Sequence, residues 1–249
     1  KMDPIEKYHQ AVSNVIERIA LEEKEAIQKA AGMIADCIVE DKLFYIFGTG
    51  GHSAMAAVEL CHRAGNLVPC NAILDSGIGC EHGATRGIER LTGYARCVLD
   101  YYRIKENEVL IIVNAYGMNC TTIDTALECQ KRGIKTIGIT TPELSLQVPP
   151  EHPARHPSKK NLFELVDVVI NSYTPFGEAV VEIEGFESKV SPISTITNLF
   201  IINAINAEVC QNLANKGITP PVWTSSNIPG GDEANKQYME ANFSRLYHL

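Results

Sequence analysis

Between residues 4 and 38, apolar side chains recur at helical spacing: Ile5, Val12, Val15, Ile16, Ile19, Ala20, Ala26, Ile27, Ala30, Met33 and Ile34. This period predicts one long or two consecutive amphipathic helices. From residue 43 the pattern changes. Leu43 to Phe47 is apolar on every position, as in a parallel strand buried on both faces. Val109 to Val113 reads the same way, Lys135 to Thr140 and residues 165–171 are further strands, and a short strand falls at 68–73. Helical stretches lie between them at 53–64, closed by Gly65, at 83–101, and at 121–132, closed by Gly133. Ala179 to Ile183 reads as a hairpin arm, 194–215 as a long helix ending at Gly217, and 233–247 as a last helix. Residues 142–157 read as a loop containing proline and histidine, and proline and glycine mark 218–232 as another. Strands separated by helices predict an α/β fold, a three-layer α/β/α sandwich around a mostly parallel sheet of about five strands. The expected organisation is one domain over 1–249: an N-terminal helical region (1–40), an α/β core (41–217) and a C-terminal loop and helix (218–249).

Composition narrows the partners. The 249 residues are 45% hydrophobic and 21% charged, ordinary for a globular chain, and carry a net charge of −8. That balance argues against nucleic acid or an anionic membrane as a bulk partner. No apolar run has the length of a membrane span and nothing before Met2 reads as a signal peptide, so a cytoplasmic protein is expected. The eight cysteines form no Cys-x-x-Cys pair, which favours buried thiols over a disulfide framework or a metal site. No metal or cofactor is expected.

Two loops carry the candidate chemistry. Gly48-Thr49-Gly50-Gly51-His52-Ser53 follows the first strand and opens a helix. Glycines allow a sharp turn and close approach of backbone to a ligand. Free N–H groups at a helix start attract an anion, and Thr49 and Ser53 add hydroxyls. The alternative is an ordinary strand-to-helix turn. Asn114-Ala115-Tyr116-Gly117-Met118-Asn119 follows another strand, with Thr121 and Thr122 beyond it. If the two strands are neighbours, both loops face one pocket at the strand C-terminal ends. The P-loop signature is absent, and the dinucleotide fingerprint fails where Ser53 stands in place of its third glycine. The pair suits a monophosphorylated ligand held by backbone amides and neutral donors.

The order strand–GTGGHS–helix, strand–NAYGMN–helix, strand–GIT resembles the SIS (sugar isomerase) domain, a phosphosugar-binding α/β module of flavodoxin-like type. Later segments narrow the resemblance to a bacterial group of SIS proteins described as phosphosugar isomerases. These are Arg155-His156-Pro157-Ser158-Lys159-Lys160, Asp167 to Ile170, Gly177 to Gly185, Pro192 to Thr197, Ala207-Glu208-Val209 and Gly230 to Glu233. The resemblance covers nearly the whole chain. It implies a sugar-phosphate ligand, amino-sugar phosphates among the candidates, and a homodimer. It implies an aldose–ketose isomerase, with a lyase or etherase and a non-catalytic sensor as alternatives. Asn114 and Tyr116 stand where the family usually carries two serines, and the first loop is one glycine longer.

Isomerisation needs a base that moves a proton between adjacent carbons. Glu81, His82, Glu89 and His156 are the candidates, with Glu81 first because Gly79 and Gly83 flank it. Their alternative roles are surface charges. The expected binding set is Thr49, Gly50, Gly51, His52, Ser53, Asn114, Tyr116, Gly117, Asn119 and Thr121, together with Arg155, whose planar fork suits an anion.

Overall fold

The computed structural model describes residues 2–81 and 83–249. His82 lies outside the described residues. The N-terminal period resolves into two helices, α1 (Pro4–Glu22) and α2 (Lys24–Val39). Asp3 starts α1 with a reciprocal cap: its carboxylate accepts from the Glu6 N–H at 2.8 Å, and Glu6 accepts from the Asp3 N–H at 2.9 Å. There follow β1 (Phe44–Gly48), α3 (Ala54–Leu60), β2 (Cys70–Ile73), α4 (Thr85–Ile88), α5 (Tyr94–Tyr102), β3 (Val109–Val113) and α6 (Cys120–Arg132). The second half contains β4 (Lys135–Thr140), α7 (Pro142–Gln147), β5 (Val168–Asn171), β6 (Ala179–Val181), β7 (Val190–Pro192), α8 (Ser194–Asn215) and α9 (Gly231–Asn242).

The five long strands form one parallel sheet in the order β2-β1-β3-β4-β5, with Gly48 opposite Val113. Continuous apolar strands have two faces to bury, and both are buried. Phe44, Ile46, Val109, Ile111 and Val113 pack under α2, α3 and α8. Tyr45, Phe47, Leu110 and Ile112 pack on the other side with residues of α5 and α6 and with Trp223. The C-terminal residues close the sheet at β2, where His248 Nε2 lies 2.9 Å from the Ala72 carbonyl and Asn71 Nδ2 donates to the Arg245 carbonyl at 2.9 Å.

Differences from the sequence expectations are local. The stretch read as one helix at 83–101 is two short helices, because Gly93 sits at φ +84° and starts α5 afresh. The helix expected at 53–64 ends at Leu60, and the last helix begins at Gly231 and ends at Asn242 rather than spanning 233–247. Within the expected loop 142–157, Pro142 opens α7.

Candidate functional site

Strand order reverses direction between β1 and β3: the chain runs outward from β1 to β2, and from β3 toward β5 on the other side. Ligands in open α/β sheets bind in the crevice at such a switch point, beyond the strand C-terminal ends. Here the loops after β1 and β3 bound a cleft of about 240 Å³. Gly50, Gly51, His52 and Ser53 come from the first loop, and Asn114, Ala115, Tyr116, Met118 and Asn119 from the second. Glu89, Ala154, Glu178 and Ser194 complete the lining.

The first loop is tight because the sequence permits it. A Cβ on Gly48 would run into the backbone of Ser53. The backbone N–H groups of Gly50, Gly51, His52 and Ser53 have no acceptor among the described residues. Four consecutive unpaired amides form an electropositive rim. Ser53 starts α3 without a side-chain cap bond, and its hydroxyl has no partner among the described residues.

Hydroxyls tie the two loops together beneath that rim. Thr49 Oγ1 lies 2.6 Å from Thr122 Oγ1, and Thr122 Oγ1 donates to Asn119 Oδ1 at 2.5 Å. Asn119 Oδ1 also caps α6 through the Thr122 N–H at 3.3 Å. Asn114 Oδ1 accepts from the Gly117 N–H at 2.8 Å, which leaves Asn114 Nδ2 open to the cleft. That nitrogen would stand 3.0 Å from a Cβ on Gly50, and Glu89 Oε2 would stand 3.4 Å from the same point.

Glu89 is half-buried, and its carboxylate has no ion pair or hydrogen bond among the described residues. Burial raises its pKa above the usual carboxylate value, against a smaller lowering by Arg90 and Arg86. Its backbone carbonyl accepts from the Thr121 N–H at 3.0 Å, which fixes it against the start of α6.

The expected residues therefore separate. Gly50, Gly51, His52, Ser53, Asn114, Tyr116, Asn119 and Glu89 line the cleft. Thr49 and Thr121 are fully buried beneath it, the latter bonded to the segment carrying Glu89. Gly117 shapes the second loop at φ +57°, where a Cβ would meet Thr140 Oγ1 at 2.6 Å. Glu81 is exposed, with its carboxylate against Gly79, and does not line the cleft. Arg155 also stands outside: it donates to Asn161 Oδ1 at 2.8 Å, to the Val148 carbonyl at 2.8 Å and to the Ser145 carbonyl. His156 pairs with Asp124 at 3.2 Å and Ser158 at 2.8 Å.

Glu178 and Ser194 were not singled out as site residues in the sequence. They reach the cleft from the β6–β7 hairpin segment and the start of α8, through long-range packing with no local signature. The Tyr116 phenol joins these walls, accepting from the Gly177 N–H at 3.3 Å. Among the described residues, no three His, Cys, Asp or Glu side chains converge to hold a metal. Among the same residues, no helix is long and apolar enough to cross a membrane.

Comparison with known proteins defines the class. Residues 7–141 match the model of the SIS domain. The chain is 35% identical to a UPF0309 protein of Caldanaerobacter subterraneus subsp. tengcongensis over 98% of this chain and 100% of the relative. It is also 35% identical to a UPF0309 protein of Thermoanaerobacter pseudethanolicus, covering 98% and 99% respectively. The chain belongs to the SIS-domain family and, within it, groups with the UPF0309 proteins. A phosphoheptose isomerase from Francisella tularensis shares the fold at a TM-score of 0.55 and 15% identity, over 83% of this chain and 96% of that one.

Proposed function

We propose that this protein is a sugar-phosphate isomerase whose general base is Glu89. One juxtaposition carries the reading: residues 50–53, whose backbone amides have no acceptor among the described residues, line the same cleft as the half-buried Glu89, whose carboxylate is unpaired among those residues. The amides of residues 50–53, the Ser53 hydroxyl and Asn114 Nδ2 hold the phosphate. Glu89 then removes a proton beside the substrate carbonyl and returns it to the neighbouring carbon. A base with a raised pKa is better matched to that shuttle near neutral pH than a solvated carboxylate. Glu81 remains a surface carboxylate in this reading, and Arg155 and His156 hold the loop that backs the cleft. The protein works in the cytoplasm as a homodimer. Ile5 and Leu21 are exposed on α1, and a groove between α1–α2 and α8 is lined by Ala20, Ile27, Phe200 and Ala204 with Lys24 and Glu208, an arrangement suited to a two-fold contact.

The test follows solvent deuterium into a bound sugar phosphate at the carbon next to the carbonyl. Exchange in the wild type that disappears in Glu89→Gln supports the isomerase. Tight binding without exchange for every sugar phosphate tried would make the protein a sensor instead.

A further inference from the structure

A second pocket, of about 320 Å³, opens between α5 and the end of the edge strand β2. It shares no lining residue with the cleft, so binding here does not depend on what the cleft takes. Asp75, two residues past the strand, lines it together with Tyr94, Tyr101 and Tyr102 of α5. Tyr94 and Tyr101 are seven positions apart and so share one face of the helix. The lining holds one carboxylate, three phenol rings and no lysine, arginine or histidine.

The carboxylate is held in place. The Tyr94 hydroxyl donates to Asp75 Oδ1 at 2.7 Å, and the Ile78 N–H donates to the same oxygen at 3.2 Å. The Asp75 carbonyl accepts from the Ile78 N–H at 3.0 Å and from the Gly79 N–H at 2.8 Å, which closes the turn. A Cβ on Gly77 would run into the Tyr94 hydroxyl, so the phenol reaches this turn only because residue 77 is glycine. Burial, and then the Asp75 carboxylate, push the Tyr94 phenol up to about 12. Tyr94 therefore stays a protonated donor and Asp75 carries the charge. Both donors sit on Oδ1, and Oδ2 has no partner among the described residues. Arg96, on the same helix, pairs with Asp100 at 3.8 Å instead.

The rings are also set. Tyr102 is buried, and its hydroxyl accepts from the Leu74 N–H at 3.0 Å. The Tyr101 ring stands 5.3 Å from it with the two planes at 81°, which makes two nearly perpendicular aromatic walls. Tyr101 is 65% exposed. One exposed tyrosine is ordinary on a protein surface. Perpendicular rings beside a fixed, half-free carboxylate are the composition of a cation cage, because ring faces and the carboxylate attract the same charge. The carboxylate makes the pocket unsuited to a second phosphate.

We propose that this pocket binds a small organic cation through its alkylammonium head group, which sits against Asp75 Oδ2 and the rings of Tyr94 and Tyr101. Titration of the full chain with choline, followed by ligand-observed NMR, tests this against 3,3-dimethylbutan-1-ol, which has the same shape and no charge. Choline binds with a Kd of ~1 mM or tighter and at least ~5-fold more tightly than the alcohol. Asp75→Asn keeps Oδ1 as the acceptor for Tyr94 and Ile78, so the turn is retained, and it brings the two ligands to within about twofold of each other. Tyr101→Leu keeps apolar bulk at an exposed position and removes the ring; choline weakens by ~3-fold or more while the alcohol changes by less than about twofold. Both variants melt within about 2 °C of the wild type; should Asp75→Asn melt lower, Tyr101→Leu decides. Equal binding of choline and the alcohol, or no choline binding up to ~10 mM, overturns the proposal. So does a preference for choline that survives both substitutions, which would place the cation elsewhere, such as against Glu89.

Discussion

The loop after β1 and the loop after β4 both carry residues suited to grip a phosphate, and the chain treats them in opposite ways. In the second, Arg155 spends its guanidinium on Asn161 and on the carbonyls of Ser145 and Val148, while His156 is held between Asp124 and Ser158. In the first, the amides of residues 50–53 and the Ser53 hydroxyl have no partners among the described residues, and Glu89, unpaired among the same residues, stands beside them. A polar side chain satisfied within its own loop is holding that loop in shape. A row of polar groups left open around a cleft is kept for something else. The distinction is one of bonding partners, which residue type and spacing do not report.

The contrast is sharpened most by removing the open carboxylate. Glu89→Gln lowers the rate of solvent deuterium exchange into a bound sugar phosphate by ~10²–10⁴-fold, the usual cost of losing a general base. Sugar-phosphate affinity, read by calorimetry, stays within a few-fold. Loss of affinity with retained exchange would reverse the roles assigned to Glu89 and the amides.

Arg155→Ala is the reciprocal change. It leaves Asn161 Oδ1 and several loop carbonyls short of a donor, and each unsatisfied buried group costs ~1–3 kcal/mol. Stability falls by about 2–4 kcal/mol and Tm by roughly 5–12 °C, measured by calorimetric melting. Ligand affinity of the folded fraction is unchanged. A large affinity loss without a fall in Tm would move Arg155 into the site.

Gly50→Ala probes the rim itself. The added methyl stands 3.0 Å from Asn114 Nδ2 and 3.4 Å from Glu89 Oε2, at the point where ligand and backbone approach. Sugar-phosphate affinity falls by ~10-fold or more, while Tm moves by no more than about 2 °C. An unchanged dissociation constant would show that the ligand does not use this rim.

Much of this was legible in the chain. The runs at 44–48 and 109–113 are apolar at every position because both faces of the sheet are covered, so strand, parallel pairing and two-sided core follow from one pattern. The two glycine-bearing loops were legible because strand-end loops of adjacent parallel strands must share a crevice. The proposed base was harder. Glu81 and Glu89 lie eight positions apart, and only the path of the chain between β2 and α5 decides which faces the cleft. That path is irregular: Gly93 restarts the helix, and the Thr121 N–H anchors the Glu89 carbonyl from another element. Glu178 and Ser194 depend on the packing of the β6–β7 hairpin and α8 beside loops more than fifty residues earlier in the sequence, which no local period encodes.

The smallest expected effect concerns what the open carboxylate does to stability. Burial raises the Glu89 pKa in the folded state, more than Arg90 and Arg86 lower it. Its ionised form is therefore less favourable in the folded protein than in the unfolded chain. The stability this group contributes is fully present below the unfolded carboxylate pKa and is lost as pH rises through the higher folded value. Glutamine carries no charge at any pH and loses nothing on that rise. Glu89→Gln thus melts with the wild type in acid and, at neutral pH, above it by ~1–3 °C, the pattern expected where function holds a group in a costly environment. Melting curves of both proteins from about pH 4 to 8 give the comparison. Phosphate bound beside Glu89 adds negative charge and raises its pKa further, so ligand binding near the folded pKa takes up protons. Calorimetric titrations in buffers of different ionisation enthalpy read that uptake, and it vanishes in Glu89→Gln. Parallel melting curves for the two proteins, with no proton uptake, would mean that Glu89 is as solvated as Glu81, and the contrast between open and satisfied groups would lose its central member.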